Sequence, residues 1–137
     1  DLRPDQQPAT SIFASTPLHL IDFGFCTRWQ DSQSGEHIKK TRLEKFRGNL
    51  RYASSHQLAF KATSRRDDLI SLCYIMIFFL LGGNFFDAQH RDELQGLSGK
   101  EKLDWAYAIK KQHSASTLAE GKTALLKPFF KKVFSLR

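Results

Sequence analysis

The sequence predicts a mainly helical fold, and three observations carry that expectation. Ser64 with Asp67 and Ser98 with Glu101 have the spacing of helix-opening caps, although Asp67 is a weaker third residue than Glu or Gln. Gly82-Gly83 supplies a stop for the first of these helices. The apolar residues near the C-terminus recur at helical spacing. At 137 residues, with 41% hydrophobic and 12% aromatic content, the chain fits one domain or a large piece of one and can build a core, which excludes a disordered tail.

Residues 1–17 are rich in Pro, Gln, Ser and Thr and read as loop, with a short strand near Ile12 and Phe13. Leu18 to Ile21 reads as a short apolar strand running into Asp22-Phe23-Gly24. From Phe25 to Ser55 the pattern is irregular and carries Arg28, Lys39, Lys40, Arg42, Lys45, Arg47 and Arg51; a loop of that length in a compact domain is usually functional or mobile. The segment from Ser64 to Gly82 is apolar nearly all round, so the helix it forms is expected to be covered on every side. The helix opened by Ser98 runs to about Lys111, with Leu103, Ala106, Tyr107 and Ile109 facing inward. Leu125, Leu126, Phe129, Phe130, Val133 and Phe134 make a last helix that Pro128 either starts or kinks.

Charge and composition narrow the function classes. Twenty-one Lys and Arg against fourteen Asp and Glu give a net charge of +7, which favours an anionic partner without choosing among nucleic acid, acidic peptide, phosphate or membrane surface. A nucleic-acid module is disfavoured, because there is no zinc-ligand spacing, aromatic-basic recognition motif or basic helix with a polar face. The apolar run from Leu69 to Leu81 is too short to span a bilayer, so no membrane partner is expected, and no signal peptide opens the chain. His19, His37, His56, His90 and His113 lack metal-hydrolase spacing. The two cysteines, Cys26 and Cys73, read as small core residues in a reducing compartment, which points to cytoplasm or nucleus.

The motifs carry more. Asp-Phe-Gly alone is a common strand-ending turn, but upstream Asp1-Leu2-Arg3-Pro4-Asp5-Gln6 sets an amide side chain five residues after an Asp, as in the catalytic loop of protein kinases. Downstream come Phe46-Arg47-Gly48-Asn49-Leu50-Arg51-Tyr52-Ala53-Ser54 and then Ser64-Arg65-Arg66-Asp67-Asp68-Leu69. These segments are similar to the casein kinase 1 group, in which Gly-Thr-x-Arg-Tyr-Ala-Ser and Ser-Arg-Arg-Asp-Asp-Leu occupy the corresponding places. The resemblance covers nearly the whole chain, including the terminal Ser135-Leu136-Arg137, and fades between about Phe85 and Lys122.

That resemblance implies the helical C-terminal lobe of a protein kinase, residues 1–137 forming a partial kinase domain without its N-lobe. It implies a serine/threonine kinase using ATP and Mg²⁺ on acidic or pre-phosphorylated protein substrates, because phosphoryl transfer needs positioning and charge neutralisation above all. By resemblance, Asp1 orients the attacking hydroxyl, Arg3 stands where the group has a Lys on the γ-phosphate, and Asp22 and Gln6 stand at the metal-binding positions. Arg51 stands where the group binds an anion, against the alternative of a solvated loop Arg. Asp68 resembles the buried Asp of the central helix that holds the catalytic loop, against the alternative of an ordinary first-turn acid favoured by the helix dipole.

Departures from the pattern bear on activity. Arg3 replaces Lys, Gln6 replaces Asn, and Asn49 replaces a Thr that helps fix the catalytic loop; each swap keeps polarity and changes reach. The expectation is a divergent kinase, slow or catalytically silent, with a non-catalytic scaffold as the rival. No Gly-rich loop, Val-Ala-x-Lys strand or His-Arg ahead of Asp1 is present, so these 137 residues alone are expected neither to transfer phosphate nor to bind ATP well, and to need the N-lobe of the same polypeptide as a partner.

Overall fold

In the computed structural model, residue 17 and residues 19–39, 41–83 and 94–136 are described. They form five α-helices and one 3₁₀-helix: α1, Ser55–Leu58; α2, Arg65–Leu81; α3, Gly99–Gln112; α4, Ala115–Leu118; the 3₁₀-helix Gly121–Leu126; and α5, Lys127–Phe134. The architecture is mainly helical, as the sequence predicts. The only strand-like pairing among the described residues is two isolated antiparallel bridges, Gln30 with His37 and Arg42 with Lys61. The expected strand near Ile12 lies outside the described residues. Residues 19–21 of the expected 18–21 strand are irregular, with Leu20 and Ile21 largely exposed. A strand needs a neighbour for its N–H and C=O groups, and none lies beside them among the described residues.

Helix α2 starts and stops where the sequence places it. Asp67 reaches back so that its Oδ2 accepts from the Ser64 backbone N–H at 2.9 Å and from the Ser64 hydroxyl at 2.8 Å. Gly82 takes the left-handed conformation at φ 69°, which a Cβ would penalise, and its N–H closes on the Phe78 carbonyl. One face, Ile70, Cys73, Tyr74 and Ile77, is buried with Ala115, Leu118, Ala119, Phe130 and Val133 in the main core. Leu69, Leu72, Phe79, Leu80 and Leu81 stay exposed, Phe79 at 74%, so the helix is covered on one side only among the described residues.

Ser98 caps α3 in a complete capping box, accepting from the Glu101 N–H while Glu101 accepts from the Ser98 N–H at 2.8 Å. Its inward residues differ from the expected set. Ala106 and Lys110 are buried, Leu103 and Ile109 are half-buried, and Tyr107 is exposed. Pro128 falls in the first turn of α5, where no N–H is missed, so it starts that helix and does not kink it. Phe130 and Val133, three apart, point into the core while Leu125 is exposed. Cys73 is buried and burial pushes its thiol up to about 12, but Cys26 is exposed and so is not the core residue expected.

Candidate functional site

A second, smaller core of Ala53, Leu58 and Ala106, flanked by Phe46, Leu50, Leu103 and Trp105, seats the segment that carries Arg51. Asn49 organises the turn. Its Oδ1 accepts the Arg51 N–H at 2.9 Å, and its carbonyl accepts from the Ala53 N–H at 2.9 Å. Ser54 then caps α1 in a capping box with Gln57, a Ser-x-x-Gln signature that the sequence reading passed over.

Beneath this turn lies Lys110, 4% exposed. Its Nζ donates to the carbonyls of Leu50 at 2.6 Å, Arg51 at 3.0 Å and Ala53 at 2.7 Å, and stands 4.5 Å from the centre of the Tyr74 ring. An ammonium has three donors, and three carbonyls meet them. The sequence signal was Lys110 standing four residues after Ala106, on the same helical face. Arg51 itself is exposed and, with Gly48, Asn49, Lys102, Trp105 and Lys110, lines an open pocket of about 430 Å³.

Residues 1–6, the segment Asp68 is expected to support, lie outside the described residues; among the described residues the carboxylate buried at the start of α2 is Asp67, and its neighbour Asp68 is exposed. The reason is reach. From the third helical position Asp67 folds back onto Ser64, and its other oxygen accepts the Ser54 hydroxyl at 2.6 Å, tying the turn above to α2. Burial pushes the Asp67 carboxyl up, but the hydrogen bonds from Ser54 and Ser64 and the charge of Arg66, 3.5 Å away, outweigh it and hold the group below its usual range. Asp68 is raised, by partial loss of water and then by the Asp67 charge beside it. His56 Nδ1 stands 3.5 Å from Asp67 Oδ1 and its pKa is lowered, first by burial and then by Arg66.

Asp22 takes a left-handed backbone at φ 62°, uncommon for a side chain other than Gly and tolerated best by Asn and Asp. Its Oδ1 accepts from the Gly24 N–H at 3.3 Å, so Asp22-Phe23-Gly24 forms a self-bonded exposed turn. Asp1, Arg3 and Gln6 lie outside the described residues. Of the rest, Arg51 is brought beside two lysines, whereas Asp22 and Asp68 stand on other elements and do not line that pocket. Among the described residues no group of three His, Cys, Asp or Glu side chains could hold a metal ion, and no helix is long and apolar enough to cross a membrane.

Comparison with known proteins bears on what this arrangement is. Casein kinase 1-like protein HD16 of Oryza sativa subsp. japonica is 40% identical over 87 residues, covering 63% of this chain. The chain is related to casein kinase 1-like proteins. It spans 12% of the length of that relative, and no family model matches it. The mainly helical fold agrees with the C-terminal lobe of a casein kinase 1-like protein.

Proposed function

We propose that this chain is part of the catalytic domain of a casein kinase 1-like serine/threonine protein kinase, which transfers the ATP γ-phosphate to acidic or already phosphorylated proteins. The observation that carries the substrate class is Arg51 standing with Lys102 on one pocket, above a backbone turn fixed from below by Lys110. Arg offers a planar fork for a phosphate or carboxylate, and a second cation nearby favours an anion of more than one charge. In this reading Asp1 orients the acceptor hydroxyl, Arg3 meets the γ-phosphate, and Gln6 and Asp22 hold Mg²⁺ by oxygen ligands, as hard cations prefer. The exposed apolar residues Leu69, Leu72 and Phe79 on α2 support a role as part of a larger domain, in which the ATP-holding lobe and adjoining segments belong to the same polypeptide. Free thiols and the absence of a disulfide among the described residues fit a cytoplasmic or nuclear site of action.

A second reading, a catalytically silent scaffold of the same fold, draws support from Asn49. Its side-chain oxygen is engaged on its own turn, at the position where the group's Thr helps fix the catalytic loop. One experiment separates the two. The full-length protein is given Mg-ATP and an acidic peptide with and without a priming phosphate. Transfer that prefers the primed peptide and falls by roughly 10²-fold or more in Asp1→Asn and Asp22→Asn supports the enzyme. Stabilisation by Mg-ATP without transfer supports the silent form, and neither transfer nor nucleotide binding rejects the kinase reading.

A further inference from the structure

Lys110 is an unusual investment for a helix surface. A lysine ammonium is strongly hydrated and is rarely buried without dedicated partners, yet this one is almost wholly buried and gives its hydrogens to three carbonyls. Those carbonyls belong to Leu50, Arg51 and Ala53, some sixty positions earlier in the chain, so the contact is made only by the tertiary fold. The backbone must bend for them to converge on one nitrogen. That bend is the same one that Asn49 closes from the side through the Arg51 N–H. Arg51 is thus gripped at both its N–H and its carbonyl while it lines the pocket.

We propose that Lys110 is a positioning residue for anion recognition: by drawing these carbonyls inward it fixes the direction in which Arg51 presents its guanidinium to a phosphate monoester on a peptide. This rests on the reading of the Arg51 pocket as an anion site. Holding the ammonium needs a compact tetrahedral donor, so Arg, with a wider planar fork, is a poor replacement, and Met leaves three buried acceptors unmet.

The test uses the full-length protein and a fluorescent phosphoserine peptide, with its unphosphorylated serine twin as control. Binding is read by anisotropy, and amide hydrogen exchange is followed over residues 49–54 and over α2 and α5. Wild type should bind the phosphopeptide in preference to the twin, and Arg51→Ala should lose that preference. Lys110→Met should weaken phosphopeptide binding by roughly tenfold or more, on the scale of losing one charged hydrogen bond. Exchange should rise over 49–54 while α2 and α5 keep their protection. If Lys110→Met does not fold, Lys110→Arg, which keeps the charge, should give a smaller loss with the same local rise in exchange. Should wild type show no preference for the phosphate, the pocket reading itself fails and the proposal with it. Should Arg51→Ala lose the preference while the folded Lys110 variant keeps it, the pocket reading stands and the positioning role is overturned. A uniform rise in exchange across all three segments would also overturn it, because Lys110 would then be a general support of the fold.

Discussion

The two cores of this chain hold their elements by different means. The larger, around Phe130, Ile77 and Cys73, is mainly apolar: α2, α4 and α5 meet through side chains whose buried polar atoms are the Tyr74 hydroxyl and the Cys73 thiol. The smaller, around Ala53, Leu58 and Ala106, buries little apolar surface, and the turn it seats is secured by Lys110 from below and by the Ser54–Asp67 hydrogen bond at its end. Apolar packing is non-directional and tolerates small shifts, whereas hydrogen bonds to charged groups fix direction. The turn that carries Arg51 is therefore held by bonds, and the helices of the larger core are held by contact. The cost of the polar solution is fragility, since one lost partner leaves a buried group unmet.

The comparison can be broken first in the larger core. Phe130→Ala removes a fully buried ring and should destabilise the fold by about 3–5 kcal/mol, read by urea denaturation, with protection lost across α2, α4 and α5 together. In the smaller core, Asp67→Ala strands the Ser54 and Ser64 hydroxyls and should cost about 2–3 kcal/mol, with increased exchange centred on 49–64. Acid sharpens this prediction. The folded pKa of Asp67 lies below its unfolded value, so its contribution is present above the ordinary carboxylate range and is lost as pH falls through the folded value. Wild type should accordingly weaken below about pH 4, and Asp67→Ala should show a flatter acid limb.

Smaller effects test the edge of the polar region. The Arg65 guanidinium lies 3.7 Å from the centre of the Trp29 ring and docks the turn of residues 29–38 against the start of α2. Arg65→Ala should cost about 0.5–1 kcal/mol and shift the emission of Trp29, with Trp29→Leu as the control that removes the signal. The smallest effect belongs to His56. Its folded pKa is below its unfolded value, so the unfolded chain takes up the proton first and stability declines as pH falls from about 6.5 through the folded value. His56→Gln should remove that shallow slope, measured as the melting temperature against pH. Because the ring is partly exposed, solvent screening keeps the effect below that of Asp67.

How much of this was legible in the sequence follows the same division. The limits of α2 and α3 were readable because caps and stops are local: Ser64, Gly82, Ser98 and Glu101 act on backbone within one turn. The Ser54 and Gln57 cap was equally local and could have been read. The burial of Asp67 and Lys110 could not be read from spacing alone. Two adjacent acids open α2; the Ser64 spacing marks the first as the cap partner, and the approach of Ser54 from thirteen residues away adds the contact that spacing does not show. Lys110 shares a face with Ala106, but a lysine in that register is ordinarily solvated, and three carbonyls brought from a distant turn reverse the ordinary outcome. Of the candidate site residues, Arg51 was placed on a pocket by the fold, Asp22 in an exposed turn, and Asp1, Arg3 and Gln6 lie outside the described residues.

The contrast between the cysteines makes the chain its own reporter. Cys73 is sealed within α2 with a thiol that stays protonated up to about pH 12, and Cys26 is open to solvent two residues past the Asp22-Phe23-Gly24 turn, its N–H bonded to the Phe23 carbonyl at 3.0 Å. A thiol-directed dye added to this chain in its native state will therefore settle on Cys26 and watch that turn, while labelling of Cys73 will clock the opening of the core.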